Sequence, residues 1–266
     1  MRQRHVNPTA LLVPAGVRLR VSDMPTGKRY SYARIQAPLG NWDVNFPALT
    51  DANLATMEAF FAQQQGRLQP FTFLDPAGNL EQYSDDFSQS AWVKATLTLG
   101  AAVADPFGGT GATSITGTGA NSHMSCYVLP DGGASGFTLC GSVWAKAAGA
   151  GQPLLIALTD DTLAILGSPV SQNLPQGSWV RIFFGFTLAS ADKIKLLIGG
   201  FNSWSTSQVI SPFGAQCAPT LGPGAYAKTP GNHGLHSNCR FDTDRFEARA
   251  NEHNSWNLKL PIQEYV

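Results

Sequence analysis

The stretch Phe-Thr-Phe-Leu-Asp-Pro-Ala-Gly, residues 71–78, marks the point where one sequence pattern ends and another begins. Its first half continues a short alternating run, with both phenylalanines on one side, which predicts a strand over 69–74. Its second half is typical of a turn, because proline fixes φ and glycine tolerates turn conformations that other residues avoid. Beyond Tyr83 the apolar runs become shorter and the composition changes.

The density of charged residues also changes near this turn. Residues 1–83 and 231–266 carry 23 charges among 119 residues, whereas residues 84–230 carry 13 among 147 and are rich in glycine, serine, threonine and alanine. Such a shift is typical of a domain boundary, and exposed turns tolerate the insertion of whole domains. The sequence therefore predicts a discontinuous outer domain, 1–83 with 231–266, interrupted by an inserted domain, 84–230.

The composition of the whole chain excludes several classes of function. A net charge of +0 without a long basic run argues against a nucleic-acid surface. No apolar run is long enough for a membrane span or a signal peptide, so we expect synthesis in the cytoplasm without membrane insertion. The four cysteines form no CxxC motif and are predicted to be reduced, buried thiols. With only 14% charged residues, the chain suits a protein that buries surface in an assembly.

The outer segments predict several strands and one helix. The helix can begin at Thr50 or Asp51 as N-cap, and Gly66 stands where a helix stops. Its apolar face consists of Leu54, Met57, Phe60 and Phe61. The predicted strands, besides 69–74, are 17–21, 28–36, 42–46 and 258–263.

The inserted segment predicts only strands. Short apolar runs recur between turns rich in glycine, proline, aspartate and serine, and no run has helical periodicity. This pattern indicates a mainly β chain, with an antiparallel jelly-roll sandwich as the inserted domain. The predicted strands are 95–99, 114–116, 122–128, 136–145, 154–158, 179–188, 193–198 and 208–216.

Motifs at both ends of the chain resemble one known family. They are Gly66-Arg67 after the helix, the strand and turn at 71–76, and the segments 240–246 and 262–264. Together they resemble the distal tail or minor tail proteins of long-tailed bacteriophages and gene transfer agents. The resemblance implies a split β-barrel or sandwich that forms a homo-oligomeric ring, trimer or hexamer, at the tail tip of the virion. It also implies contact with the tail tube and with other tail-tip or hub proteins.

Four ordered motifs in the inserted segment are 86–94, 142–147, 177–181 and 213–216, followed by Tyr226 and Pro230. They are similar to the carbohydrate-binding jelly-roll modules found in phage tail proteins. This resemblance implies contact with a host-surface glycan. It also places Trp92, Trp144 and Trp179 at positions of core or framework residues.

A sugar site requires an exposed aromatic ring for the C–H faces and polar groups for the hydroxyls. Trp204 lies in the polar loop 200–205, where no core is evident, and is therefore the candidate stacking residue. Asn202, Asn121 and His123 are the candidate hydrogen-bonding partners. Loop packing or contact with another subunit remains the alternative role for Trp204.

Enzyme and metal motifs are weak in this sequence. No nucleophile elbow, phosphate loop or His-Glu-x-x-His motif occurs, so we expect neither an enzyme nor a cofactor. His233, His236 and Cys239 are credible metal ligands, but their glycine- and asparagine-rich surroundings favour a loop with incidental histidines and no metal. The pair at 160–161 predicts a solvated hairpin turn rather than a calcium site.

These observations favour a virion structural protein that forms a ring and presents a jelly roll to host-surface glycans. Two alternatives remain open for the inserted domain. It could be a tail-associated enzyme that degrades polysaccharides, or a purely architectural module without a ligand.

Overall fold

A computed structural model describes residues 18–23, 29–34, 40–119, 121–132, 136–149, 151–189, 193–200, 208–231 and 234–265. None of the helices in these ranges is both long and apolar enough to cross a membrane. The elements, in chain order, are β1 (Arg18–Asp23), β2 (Arg29–Arg34), β3 (Asn41–Leu49), α1 (Asp51–Gln63), β4 (Phe71–Leu74), β5 (Val93–Ala95), β6 (Leu97–Val103), β7 (Ala112–Gly117), β8 (His123–Leu129), β9 (Thr138–Ala147), β10 (Gln152–Thr159), β11 (Ile165–Leu174), β12 (Val180–Thr187), β13 (Ile194–Gly199), β14 (Val209–Ala218), β15 (Leu235–Phe241), β16 (Ala248–Glu252) and β17 (Ser255–Glu264).

The chain divides into two compact units. Met1–Phe73 with His236–Val266 form the outer unit, and Leu74–Leu235 form the inserted unit. Compared with the division expected from the sequence, the inserted unit gains residues 74–83 and 231–235. The mainly β fold with antiparallel sheets that the sequence predicted is confirmed.

The long strand β17 is the centre of the sheet in the outer unit. Strand β3 pairs antiparallel along one side of it, while β16 and β15 share the other side and β4 lies beyond β15. Strands β15 and β16 were not predicted, because their side chains are mixed or exposed and show no apolar alternation. Separately, β1 and β2 pair antiparallel with each other.

The helix α1 begins as predicted, with the Thr50 side chain accepting a hydrogen bond from the Asn53 N–H at 3.2 Å. It ends at Gln63, before Gly66, whose φ of 61° is a left-handed conformation that glycine tolerates best. A β-carbon at Gly66 would also press against Asp244. The Arg67 N–H then donates to the Asp244 carboxylate at 3.1 Å, so motifs from the two ends of the chain meet here.

Two five-stranded antiparallel sheets form the inserted unit. We name them after a central strand. The β8 sheet has the order β11-β10-β13-β8-β5, and the β9 sheet has the order β12-β9-β14-β7-β6. Apolar side chains from both sheets form one core between them, with Trp92 and Phe87 among its largest members. The predicted sandwich is therefore the observed architecture.

In the inserted unit, one predicted strand is divided in two and one observed strand was not predicted. The single strand predicted over 95–99 is broken at Thr96, whose φ of 48° sends the chain from the β8 sheet into the β9 sheet. Strand β11 was missed, because its glycine, its proline and its polar, exposed side chains are typical of a loop. It is the edge strand of its sheet, the position where a sheet accepts proline.

Asn79 ties the beginning and the end of the inserted unit to β14. Its side-chain amide donates to the carbonyl oxygens of Ala215 and Ala227 at 2.9 and 3.0 Å. Its side-chain oxygen accepts from the N–H groups of Glu81 and Cys217, each at 3.0 Å. The buried Asn79 thus uses both donors and both acceptor positions. These bonds explain why the segment before residue 84 belongs to the sandwich.

Glu81 is fully buried two residues later, and neither carboxyl oxygen has a hydrogen-bond partner among the described residues. Burial raises the pKa of Glu81 well above its ordinary value, with a smaller opposing effect from the Cys126 thiol. Burial also raises the pKa of the Cys126 and Cys217 thiols, and the nearby Glu81 contributes to both shifts. Burial therefore favours the protonated form of Glu81 in the folded protein.

We predict that this neutral acid makes the inserted unit less stable as the pH rises. The unfolded chain ionises Glu81 above a pH of about 4.3, while burial makes the folded chain keep the proton to a higher pH. The free energy of unfolding therefore falls with pH above that value, by at most about 1.4 kcal/mol per pH unit, until the raised pKa is reached. The Glu81→Gln substitution should remove this part of the slope in urea unfolding followed by circular dichroism. The control is Glu252→Gln at an exposed site, and equal slopes for wild type and Glu81→Gln would contradict the prediction.

Candidate functional site

The alternation along β9 determines which of its side chains face away from the core. Val143, Ala145 and Ala147 are buried in the core between the sheets. Trp144 and Lys146 lie between them in the sequence, so they point to the opposite side of the sheet and are half-buried. The outward side of the β9 sheet therefore carries a large aromatic ring beside a cation.

Neighbouring strands extend this aromatic and cationic surface. Trp144 is in register with Arg181 on β12 and with Phe213 on β14. The Arg181 guanidinium lies 5.8 Å from the centre of the Trp144 ring. Trp179, just before β12, lies 6.5 Å from the Phe213 ring, and the Lys146 ammonium lies 4.7 Å from the centre of the Trp179 ring.

The loop after β6 places Phe107 against these rings. Its side chain is 63% exposed, yet its ring lies 5.8 Å from that of Trp144 and 6.0 Å from that of Phe213. It also stacks on Tyr226 with nearly parallel planes, 6.1 Å between centres. We call this surface the aromatic face, and its rings belong to Phe107, Trp144, Trp179, Phe213 and Tyr226.

Asp105 shapes the loop that carries Phe107. Its carboxylate accepts hydrogen bonds from the N–H groups of Phe107, Gly109 and Gly111, at 2.8, 3.0 and 3.1 Å. The bond from Gly111 contributes most to a lowered pKa of Asp105. The loop therefore has an ionised centre that fixes its backbone and leaves the Phe107 ring exposed.

The chain returning after β14 closes one side of the aromatic face. Arg181 donates to the carbonyl oxygen of Gly224 at 2.7 Å, and Tyr226 shares a hydrogen bond of 2.7 Å with the Ser84 hydroxyl. Burial raises the pKa of Tyr226 to about 12, so its hydroxyl stays neutral. The Trp144 ring nitrogen, in contrast, is buried and has no hydrogen-bond partner among the described residues.

Of the candidate sugar-binding residues predicted from the sequence, Asn121 and His123 lie within the described residues, and neither belongs to the aromatic face. Trp204 and Asn202 fall outside the described residues, so their role stays a prediction. Asn121 is exposed in the turn before β8, and its carbonyl oxygen lies 2.7 Å from Nδ1 of His123. His123 itself is mostly buried at the start of β8, on the other sheet of the sandwich.

Two of the three metal candidates, His236 and Cys239, lie within the described residues. His233 falls outside the described residues. His236 and Cys239 both belong to β15, but an odd spacing along a strand puts them on opposite sides of the sheet. His236 contacts the Glu264 carboxylate at 3.1 Å, and burial raises the pKa of Cys239 to about 12. Within the described ranges, no three His, Cys, Asp or Glu residues are grouped to hold a metal.

The predicted turn at 160–161 is present between β10 and β11. The Asp160 carboxylate accepts from the N–H groups of Thr162 and Ala164, at 2.8 and 2.9 Å. Asp161 forms an ion pair with Lys195 at 3.1 Å. Strands β10 and β11 pair antiparallel on either side of this turn, which confirms the predicted hairpin.

The three framework tryptophans differ in their positions. Trp92 is a core residue, 1% exposed, and its ring nitrogen donates to the Tyr83 carbonyl at 3.1 Å. Trp144 and Trp179 are half-buried and lie outside the core, so of the two expected roles only a framework role stays open for them. The sequence contains the signal for Trp144, because Trp144 and Lys146 alternate with small or apolar residues that must face inward.

Comparison with known proteins gives only distant matches. No family model matches the chain, and no curated protein matches it in sequence. The enzymatically active domain of tailspike protein 4 from Bacteriophage CBA120 is 15% identical, with a TM-score of 0.40, over 54% of this chain and 22% of that chain. A xylan-binding domain from Paenibacillus barcinonensis is 12% identical, with a TM-score of 0.38, over 54% of this chain and 92% of that one. A family 22 carbohydrate binding module of Clostridium thermocellum is 14% identical, with a TM-score of 0.42, over 56% and 97%. Sequence identities and TM-scores this low support no conclusion about function.

We predict that the two kinds of tryptophan respond differently to truncation. Trp92→Ala should lower the free energy of unfolding of the inserted unit by about 3–5 kcal/mol, because it empties a filled core position. Trp179→Ala should cost about 1 kcal/mol or less, because the ring lies half-buried outside the core. Urea unfolding followed by circular dichroism measures both. Comparable losses would mean that Trp179 supports the fold as Trp92 does.

Proposed function

We propose that this protein is a structural component of a bacteriophage tail tip whose inserted unit contacts host-surface glycans through the aromatic face. One observation carries the proposal. Five aromatic rings and two cations are grouped on the outward side of a sheet whose core is complete without them.

The chemistry of the aromatic face suits a sugar. Phe213 is buried, and the other four rings of the face are at least partly exposed. Exposed rings offer flat surfaces to the C–H faces of a pyranose, and each ring contact is worth roughly 0.5–1.5 kcal/mol beyond area burial. Lys146 uses one hydrogen bond on the Ala104 carbonyl oxygen, at 3.1 Å, and its ammonium has three donors in total. The remaining donors can reach sugar hydroxyl groups. A single unit of this kind binds weakly, and several copies in a ring bind with avidity.

The outer unit supports the tail-tip part of the proposal. Gly66-Arg67 and the segment 240–246 are the motifs that resemble distal tail proteins, and they lie far apart in the sequence. In the folded unit the Arg67 side chain donates to the Asp242 carbonyl oxygen at 2.5 Å, and its N–H contacts Asp244. The resembling motifs therefore form one local structure, as expected if they have a joint structural role in a ring subunit.

A polysaccharide-degrading activity is the weaker alternative. Asp85 and Asp105 are the acids nearest the aromatic face, and an oxygen of each lies within 4 Å of the position of a β-carbon on Gly111. Glycoside hydrolysis needs one carboxyl with a raised pKa as general acid. The pKa of Asp105 is lowered, and Asp85 is held by Lys228 at 2.6 Å. Asp105 is therefore not suited to donate a proton to a leaving group.

We predict that glycan binding depends on the aromatic face. On an array of bacterial surface glycans, the double substitution Phe107→Ala with Trp179→Ala should abolish the binding seen for the full chain, because it removes two of the partly exposed rings. Tyr127→Ala is the matched control, since Tyr127 is a half-buried ring on the outward side of the other sheet. Release of reducing ends from the same polysaccharides should not occur.

Three outcomes would count against this proposal. Loss of binding in Trp204→Ala with normal binding in the double variant would move the site to the loop 200–205. Absence of binding by the full chain on every glycan would favour an architectural role. Release of reducing ends would favour the enzyme.

We predict that the protein assembles into a trimer or hexamer, because the proposed ring requires contacts between copies. Native mass spectrometry at micromolar concentration, alone and with a tail-tube protein, measures the assembly. A monomer under both conditions would contradict the ring.

A further inference from the structure

We propose further that the aromatic face selects acidic glycans, with the ammonium of Lys146 binding a sugar carboxylate. This inference rests on the proposed function and specifies the class of ligand. It is based on the charges of the inserted unit rather than on its fold.

The two sheets of the sandwich carry the same arrangement of lysine and aromatic ring, with one difference. On the β8 sheet, the Lys195 ammonium lies 4.6 Å from the centre of the Tyr127 ring and forms an ion pair with Asp161 at 3.1 Å. The Tyr127 hydroxyl also donates to Asp161, and together with Lys195 it lowers the pKa of that carboxyl. Here the protein supplies its own anion.

On the β9 sheet, the Lys146 ammonium lies at a similar distance from the Trp179 ring, 4.7 Å. Its hydrogen bond goes to the neutral Ala104 carbonyl, and it forms no ion pair with any carboxylate in the described part of the chain. The arrangement that carries an internal anion on one sheet therefore has none on the other. A carboxylate of the ligand would complete it with a charge-assisted hydrogen bond.

Arg181 adds a second positive charge to the same face. Its guanidinium donates to Ser142 at 3.1 Å, to Gln216 at 3.2 Å and to the Gly224 carbonyl at 2.7 Å, all of them neutral groups. Burial lowers the pKa of Arg181, yet a guanidinium remains charged at neutral pH. No carboxylate of the described residues forms an ion pair with it.

The acids nearest this face are already bound within the protein. Lys228 holds Asp85 at 2.6 Å. Three backbone N–H groups hold Asp105. Lys228 offsets Asp85, whereas Asp105 keeps its negative charge, because its backbone partners are neutral. Three cations, Lys146, Arg181 and Lys228, therefore lie near two anions, Asp85 and Asp105, and one net positive charge remains. A neutral sugar forms no ion pair with this charge, whereas the carboxylate of a uronate or sialate does.

The test compares each acidic sugar with its neutral ester. Oligomers of galacturonate, glucuronate and sialate, each with its methyl ester, are titrated into the full chain by isothermal calorimetry. The esters keep the ring faces for stacking and remove only the charge. At least one acid should bind roughly tenfold more tightly than its ester, and added salt should weaken only the acid.

The matched variants locate the charge. Lys146→Met should weaken binding of that acid roughly tenfold and leave its ester unchanged. Lys195→Met, which removes the paired lysine of the other sheet, should change neither. Circular dichroism confirms that both variants are folded.

The outcomes separate this inference from the proposed function. Equal binding of acids and esters, or of neutral glycans alone, with loss in Trp179→Ala, would overturn the acidic preference and keep the aromatic face as a glycan site. An acidic preference that survives Lys146→Met would overturn the role of Lys146. Absence of binding by every acid, ester and neutral glycan would overturn both proposals.

Discussion

A β-strand in a sandwich can bury only one of its two faces, and this constraint decides what the inserted unit presents to solvent. Strand β9 lies between β12 and β14, and its small and apolar residues fill the core. Trp144 and Lys146 are therefore forced outward together. Their cross-strand neighbours, Arg181 and Phe213, follow from the antiparallel register. The aromatic face is thus a direct result of how the core is built.

The hydrogen bonds of the entering and returning segments give that face its boundary. Thr229 donates to the Glu81 carbonyl at 2.6 Å, and Ser84 donates its N–H to the Thr229 carbonyl at 3.2 Å. Together with the four bonds of Asn79, they fix the return of the chain beside the β9 sheet, which brings Tyr226 against Phe213 at 5.5 Å. The buried Glu81 lies within this hydrogen-bonded region, and burial raises its pKa.

Local patterns predicted much of this fold, and long-range contacts account for what was missed. The cap at Thr50 and the apolar alternation of most strands are local signals, and they were interpreted correctly. Strand β11 is exposed at an edge, and the break at Thr96 depends on a choice between two sheets, so neither has a local signature. The candidate site at Trp204 stays a prediction, because residues 201–207 lie outside the described residues. The sequence made Trp204 a candidate because it is an aromatic residue in a polar loop. The aromatic face has no such local signal, because it is assembled from β9, β12, β14 and two loops that only the fold brings together.

The indole N–H signals of the tryptophans test whether the aromatic face binds a glycan, because each signal reports on a different place in one experiment. In an NMR titration of the full chain with its tightest-binding glycan, the account predicts that the signals of Trp144 and Trp179 move with the glycan concentration. The signal of Trp92, buried in the core, and that of Trp256, in the outer unit, should stay in place. Movement confined to Trp204, with Trp144 and Trp179 unchanged, would contradict the account.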